Sequence, residues 1–173
     1  MNIKFTLNAN KAMQTLLWIL NKKPDIDVYN INKIMFSADC YSLNHFGRPI
    51  YGERYVAMKF GTVPSFMYDL TKMKSNVPYY HSSAHGLTAN AKADDSLFSE
   101  SDVEALEHGI KEYGNLDFSS VITKNHEHPA WANRIGDLTH YGSVDIPYED
   151  MIEDKDVLED LTELGSLTEN MVF

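Results

Sequence analysis

The first 47 residues constrain the fold most, because their apolar residues recur at helical spacing between clear stop signals. Ala12, Met13, Leu16, Leu17 and Leu20 form one stripe. Asn8 or Asn10 is placed to cap that helix, which runs to about Lys22. Pro24 ends it, because proline cannot continue the hydrogen-bond ladder. Val28, Ile31, Ile34, Met35, Ala38 and Leu43 make a second stripe and predict a helix from Val28 to His45. Gly47 supplies its left-handed stop.

The pattern then changes. Ile50, Tyr51, Tyr55 and Val56 favour extended backbone, and Gly52 marks a turn. Pro64 sits where the first turn of a helix tolerates a missing N–H, so a third helix is expected over 65–74, with Phe66, Met67 and Leu70 facing inward. Val77 to Ala91 holds two short strands around a turn at Ala84 to Gly86. Ser101 and Glu104 fit a capping box, opening a helix that stops at Gly114. A short helix capped by Asp117 follows from Phe118 to Asn125, and Pro147 starts another turn. Val157, Leu158, Leu161 and Leu164 form a narrow stripe on a last helix. The expected class is mainly α (α+β): a compact helical domain with one or two short β-hairpins and an acidic C-terminal helix.

Composition excludes several functions. A chain of 173 residues with 43% hydrophobic residues can bury a core as one domain. The formal charge of -10 argues against direct nucleic-acid binding, which needs surplus cations against phosphate. That charge is concentrated: ten acids and one base from Tyr141 onward give -9 of the total. Cys40, the one cysteine, leaves no internal disulfide and no cysteine-based zinc site. No apolar run approaches the roughly 18 residues of a membrane span. The N-terminus lacks a secretory apolar region, so a cytoplasmic protein is expected.

Candidate chemistry is sparse. His126, His128 and His140 cluster in sequence, but His-x-His on a helix turns the rings apart and no HExxH spacing occurs. His81 and His85 flank a turn. Cys40 lies mid-helix beside Asp39, whose charge disfavours a thiolate, so a buried and dispensable thiol is expected. There is no phosphate cradle and no serine elbow. These readings leave no catalytic residue, no metal and no cofactor. The segment from Tyr41 to Tyr68 differs, being dense in aromatics and bases. Tyrosine and arginine concentrate at interface hot spots, although tyrosines with polar tips also suit a core. Arg48, Tyr51, Tyr55, Lys59 and Tyr68 are the expected partner-binding residues, whereas Gly61 and Pro64 are expected to be scaffold.

The same segment carries a family signature. Ala38-Asp39, Leu43, Gly47-Arg48-Pro49-Ile50, Gly52, Tyr55, Ala57, Lys59, Gly61, Val63-Pro64 and Tyr68-Asp69 resemble the pattern of the Panacea domain family, which includes the SocA-like antitoxins. A looser second block, SESDVEALEHGIKEYGNLD, resembles a helix of that family. HEHPAW and IPYEDM resemble two later segments, with Trp131 in the tryptophan place. The resemblance covers about residues 10–152. Thr62 stands where the family usually has proline. The division read from this is a Panacea-type domain over 1–153 and an acidic helical extension over 154–173 of the same domain.

The resemblance implies a non-enzymatic antitoxin that binds a toxin, either neutralising it directly or presenting it to a AAA+ protease as an adaptor. One rival is a phage or prophage accessory protein that binds a host protein. A rival of another class is a histidine-dependent metallohydrolase. The acidic C-terminal helix is expected to present carboxylates outward, with a basic partner surface as their counterpart.

Overall fold

The computed structural model describes residues 3–73, 78–138 and 142–169. Helix α1 (Ala9–Lys22) is capped by the Asn8 side chain, which accepts the Lys11 N–H. Helix α2 (Val28–Phe46) is capped by Asp27 and stops at Gly47, whose φ of 68° is left-handed as the glycine predicts. Strands β1 (Tyr55–Met58) and β2 (Gly61–Pro64) form an antiparallel hairpin leading into α3 (Ser65–Lys72). A second hairpin, β3 (Tyr80–Ser82) and β4 (Leu87–Ala89), forms a separate two-stranded sheet. Helices α4 (Glu100–Tyr113), α5 (Phe118–His126) and the single turn α6 (Pro129–Ala132) follow. Strand β5 (Val144–Ile146) and helix α7 (Lys155–Glu169) complete the order.

The expected class holds, mainly helical with small sheets. Three local expectations change. The capping box of α4 is Ser99 with Asp102, not Ser101 with Glu104, because the Ser99 hydroxyl accepts the Asp102 N–H while the Asp102 carboxylate accepts the Ser99 N–H. Pro64 is the residue before α3 rather than its first turn, and α3 ends at Lys72. Strand β5 pairs with β1, making a three-stranded sheet in the order β2-β1-β5. That pairing joins residues some 90 positions apart, as in Tyr55 opposite Ile146, and no local pattern announces it.

Helix α2 is the central element, packing against α4, β2, α5 and α3. It comes close to α4 at Gly109, where a Cβ would overlap the Ile34 carbonyl. One face of α2 (Ile31, Ile34, Met35, Ala38) joins Leu16, Ile19, Leu20, Leu70, Leu87 and Leu106 in the main core. The opposite face, Phe36 and Leu43, meets Tyr55, Ala57, Ile146 and Met151 in a second cluster, against which Val157, Leu158 and Leu161 of α7 pack. Having both faces covered explains why α2 buries polar residues too: Asn32, Lys33, Asp39 and Ser42 all lie inside. Among the described residues, no helix is long and apolar enough to cross a membrane.

Candidate functional site

The signature residues build a buried polar frame. Asp39 lies on α2 with no exposed surface. Its Oδ1 accepts the Ile50 N–H at 2.8 Å and its Oδ2 pairs with the Tyr55 hydroxyl at 2.8 Å. Burial pushes the Asp39 carboxyl up to about 7, against the opposing pull of those two hydrogen bonds. The Tyr55 oxygen also lies 3.1 Å from the Met35 carbonyl. The Tyr55 hydroxyl donates to Asp39 and has the Met35 carbonyl as a second, longer acceptor within reach.

Glu53 is equally buried and covers the start of α3. Its carboxylate accepts the Phe66 and Met67 N–H groups, each at 2.9 Å, and the Tyr51 hydroxyl at 2.9 Å. Pro64 cannot cap that helix with a side chain, so Glu53 does so from outside it. Arg48 donates to Asp102 at 2.9 Å and to Ser99 and Ser101, while Lys11 reaches the other Asp102 oxygen at 2.6 Å. Burial raises the Asp102 pKa, but the bonds from Lys11, the Ser99 N–H and Arg48 more than offset it, and the net shift is downward. One carboxylate thus joins α1, the chain after α2 and α4.

A third junction lies at β2. Gly61 has φ of 112°, and a Cβ there would overlap Asn125 Oδ1 and fall 2.9 Å from both Cε and Nζ of Lys33. Asn125 Oδ1 accepts the Thr62 N–H at 2.7 Å, a bond proline at that position lacks. Lys33 Nζ donates to the Thr62 carbonyl at 2.6 Å, and burial lowers its pKa to about 7.

This frame reassigns two expected contact residues. Tyr51 and Tyr55 are 3% and 1% exposed, so their rings belong to the core and their hydroxyls to Glu53 and Asp39. They offer no surface to a partner in this conformation. Arg48 is partly exposed but committed to Asp102. Gly61 is scaffold, as its close approach requires. Lys59 is exposed and Tyr68 half-buried, and these two meet on one cleft.

That cleft has a volume of about 480 Å³ and lies between α2, the β1–β2 hairpin and α3. Tyr29, Phe60 and Tyr68 give it aromatic walls, with Asn32 and Lys33 among its lining residues. Tyr29, Phe60 and Phe118, all substantially exposed, make mutual edge-to-face contacts with centroids 4.8–6.2 Å apart. Lys59 lies 5.4 Å from the Phe60 ring centre and Lys72 3.8 Å from that of Tyr68. Sequence reading missed Tyr29, Asn32 and Lys33. The available signal was a lysine beside Ile34 in the middle of an apolar helix.

A second cleft, of about 520 Å³, is lined by Cys40, His45, His108, His128 and Glu153. Cys40 is half-buried rather than sealed, with its sulfur 3.8 Å from His128 Nε2. His128 Nδ1 accepts the Ala130 N–H, so the hydrogen of the neutral ring sits on Nε2, which is 3.8 Å from both the Cys40 sulfur and Glu153 Oε1. A general base would need a lone pair there. Burial and the charges of Asp39 and Glu153 push the Cys40 thiol well above its ordinary range. His126 stacks on Trp131 at 3.6 Å, whereas His128 packs edge-on to Phe36. His85 pairs with Asp25 and His81 with Asn90. His140 falls outside the described residues. Among the described residues, no three of these groups are arranged to hold a metal.

A family model described as "Antitoxin SocA-like, Panacea domain" matches residues 31–132. The match spans well over half of the chain, from α2 through α6, and takes in Asp39, Glu53, Gly61, Asp102 and Asn125. The chain belongs to this antitoxin-like family. Neither the curated proteins nor the solved structures searched give a match.

Proposed function

We propose that this protein is a non-enzymatic antitoxin that binds its toxin through the face carrying Lys59 and Tyr68. The observation that carries this reading is the exposed aromatic group Tyr29, Phe60 and Phe118 beside those two residues. Exposed aromatic clusters next to cations are the chemistry of interface hot spots. Family membership supports an antitoxin role in general. The remaining signature residues support the fold, which leaves this face as the part of the signature open to a partner.

The acidic helix α7 forms a second contact zone in this proposal. Asn44 holds its start, accepting the Glu153 and Asp154 N–H groups, and Val157, Leu158 and Leu161 dock it on the second core cluster. Its carboxylates steer a basic partner surface, an effect that fades as the Debye length falls from about 10 Å at 0.1 M salt to about 3 Å at 1 M.

The test is whether a small reading frame adjacent to the gene is toxic when expressed alone, and whether co-expression of this chain rescues growth. Phe60→Ala combined with Lys59→Ala should abolish rescue and weaken complex formation at least tenfold while the fold persists. Full rescue and full affinity would remove this face from the interface. Direct neutralisation and protease presentation separate on toxin lifetime: an adaptor shortens it in a protease-dependent way, and a direct inhibitor leaves it unchanged.

A further inference from the structure

The cleft between α2, the β1–β2 hairpin and α3 has features that a flat contact surface does not need. Asn32 is 3% exposed, and its Oδ1 has no hydrogen-bond partner among the described residues although it belongs to the cleft lining. A buried acceptor left unpaired forfeits its hydration without compensation, so such groups are normally satisfied. Three lysines, Lys33, Lys59 and Lys72, line the same cleft in a chain of formal charge -10. Lys59 and Lys72 each sit over an aromatic ring at its rim. Two exposed lysines, flat aromatic faces and the residue that carries the orphaned acceptor therefore line one volume of about 480 Å³, inside the roughly 300–1,000 Å³ range of small-molecule sites.

The adjoining strand argues for a compact ligand over an extended peptide. A peptide adding to the outer edge of β2 would need free backbone groups there. The Thr62 N–H is held by Asn125, its carbonyl by Lys33, and Pro64 has no N–H to give. The edge is closed to strand addition.

We propose that this cleft binds a small ligand in which an anionic group is joined to an aromatic ring bearing an N–H donor. The anion pairs with Lys59 and Lys72, the ring lies against Tyr29, Phe60 and Tyr68, and the N–H satisfies Asn32 Oδ1. A mononucleotide and an indole carboxylate share this chemistry. The inference does not depend on toxin binding, and it is read on the isolated chain.

Titration calorimetry of the full chain separates the cases, with adenosine monophosphate, indole-3-acetate and inorganic phosphate as probes. At least one of the two aromatic probes should bind with a Kd below about 1 mM, and phosphate alone should not. The aromatic probe that binds tells phosphate from carboxylate as the anion. Lys59→Ala with Lys72→Ala, both at the surface, should weaken that binding at least tenfold. Asn32→Leu, which keeps the volume, should weaken it about tenfold through loss of one hydrogen bond. Binding of neither aromatic probe, phosphate binding as tight as theirs, or an undiminished Kd in the lysine variant overturns the proposal.

Discussion

Replacing Gly61 by alanine tests the frame at its tightest point. The residue sits at φ of 112°, where an L side chain is strained by about 1–3 kcal/mol. Its new Cβ would also overlap Asn125 Oδ1, the acceptor for the Thr62 N–H. Displacing that amide leaves a buried donor unpaired, at about 1–3 kcal/mol. Together these destabilise by about 2–6 kcal/mol, a large part of the 5–15 kcal/mol that holds a typical domain. With a urea slope of about 2 kcal/mol per M, the unfolding midpoint should fall by about 1–3 M. Gly136→Ala is the internal control, since a Cβ there meets nothing within 4 Å, and it should move the midpoint little. Gly61→Ala combined with Asn125→Ala should cost less than the sum of the two single changes, because the clash is removed with the amide. A Gly61→Ala midpoint equal to that of Gly136→Ala would refute the argument, and strict additivity would leave strain alone as the cause.

Asp102→Asn should destabilise by about 3 kcal/mol, because Lys11 and Arg48 lose the buried carboxylate that pairs them. Since that carboxyl is held below its ordinary 3.8, its contribution is present above that pH and is lost as pH falls through the folded value, so the variant should show a shallower acid-unfolding limb. Lys33 gives a slope of the same sign at higher pH: lowered from 10.5 to about 7, it binds a proton in the unfolded chain that the folded chain lacks, so stability should rise with pH between those values. Lys33→Met should flatten that rise in urea titrations from pH 7 to 10, and an unchanged slope would mean that the amine is solvated. Cys40→Ala should cost about 1 kcal/mol and leave growth rescue intact; loss of rescue in a folded variant would point to thiol chemistry. Truncation after Asp154 should slow toxin association and reduce its salt dependence, and a rate and salt dependence equal to those of the full chain would confine α7 to packing.

Local signals in the chain were enough for most of the elements. Asn8, Gly47 and Asp117 each act on backbone within a few residues, so their roles follow from side-chain chemistry alone. The main apolar stripe of α2 was legible for the same reason. Other features depend on distant chain segments. Ser99 rather than Ser101 caps α4 partly because Asp102 also receives Lys11 and Arg48 from elsewhere in the fold. Strand β5 exists because β1 offers it an edge. Tyr55 and Lys59 are four residues apart with similar amphipathic chemistry, and sequence gave no means to separate them. The fold places one against Asp39 in the interior and the other on an open cleft. Periodicity encodes which residues share an element's face, whereas the identity of the group opposite each face arises only when segments tens of residues apart pack together.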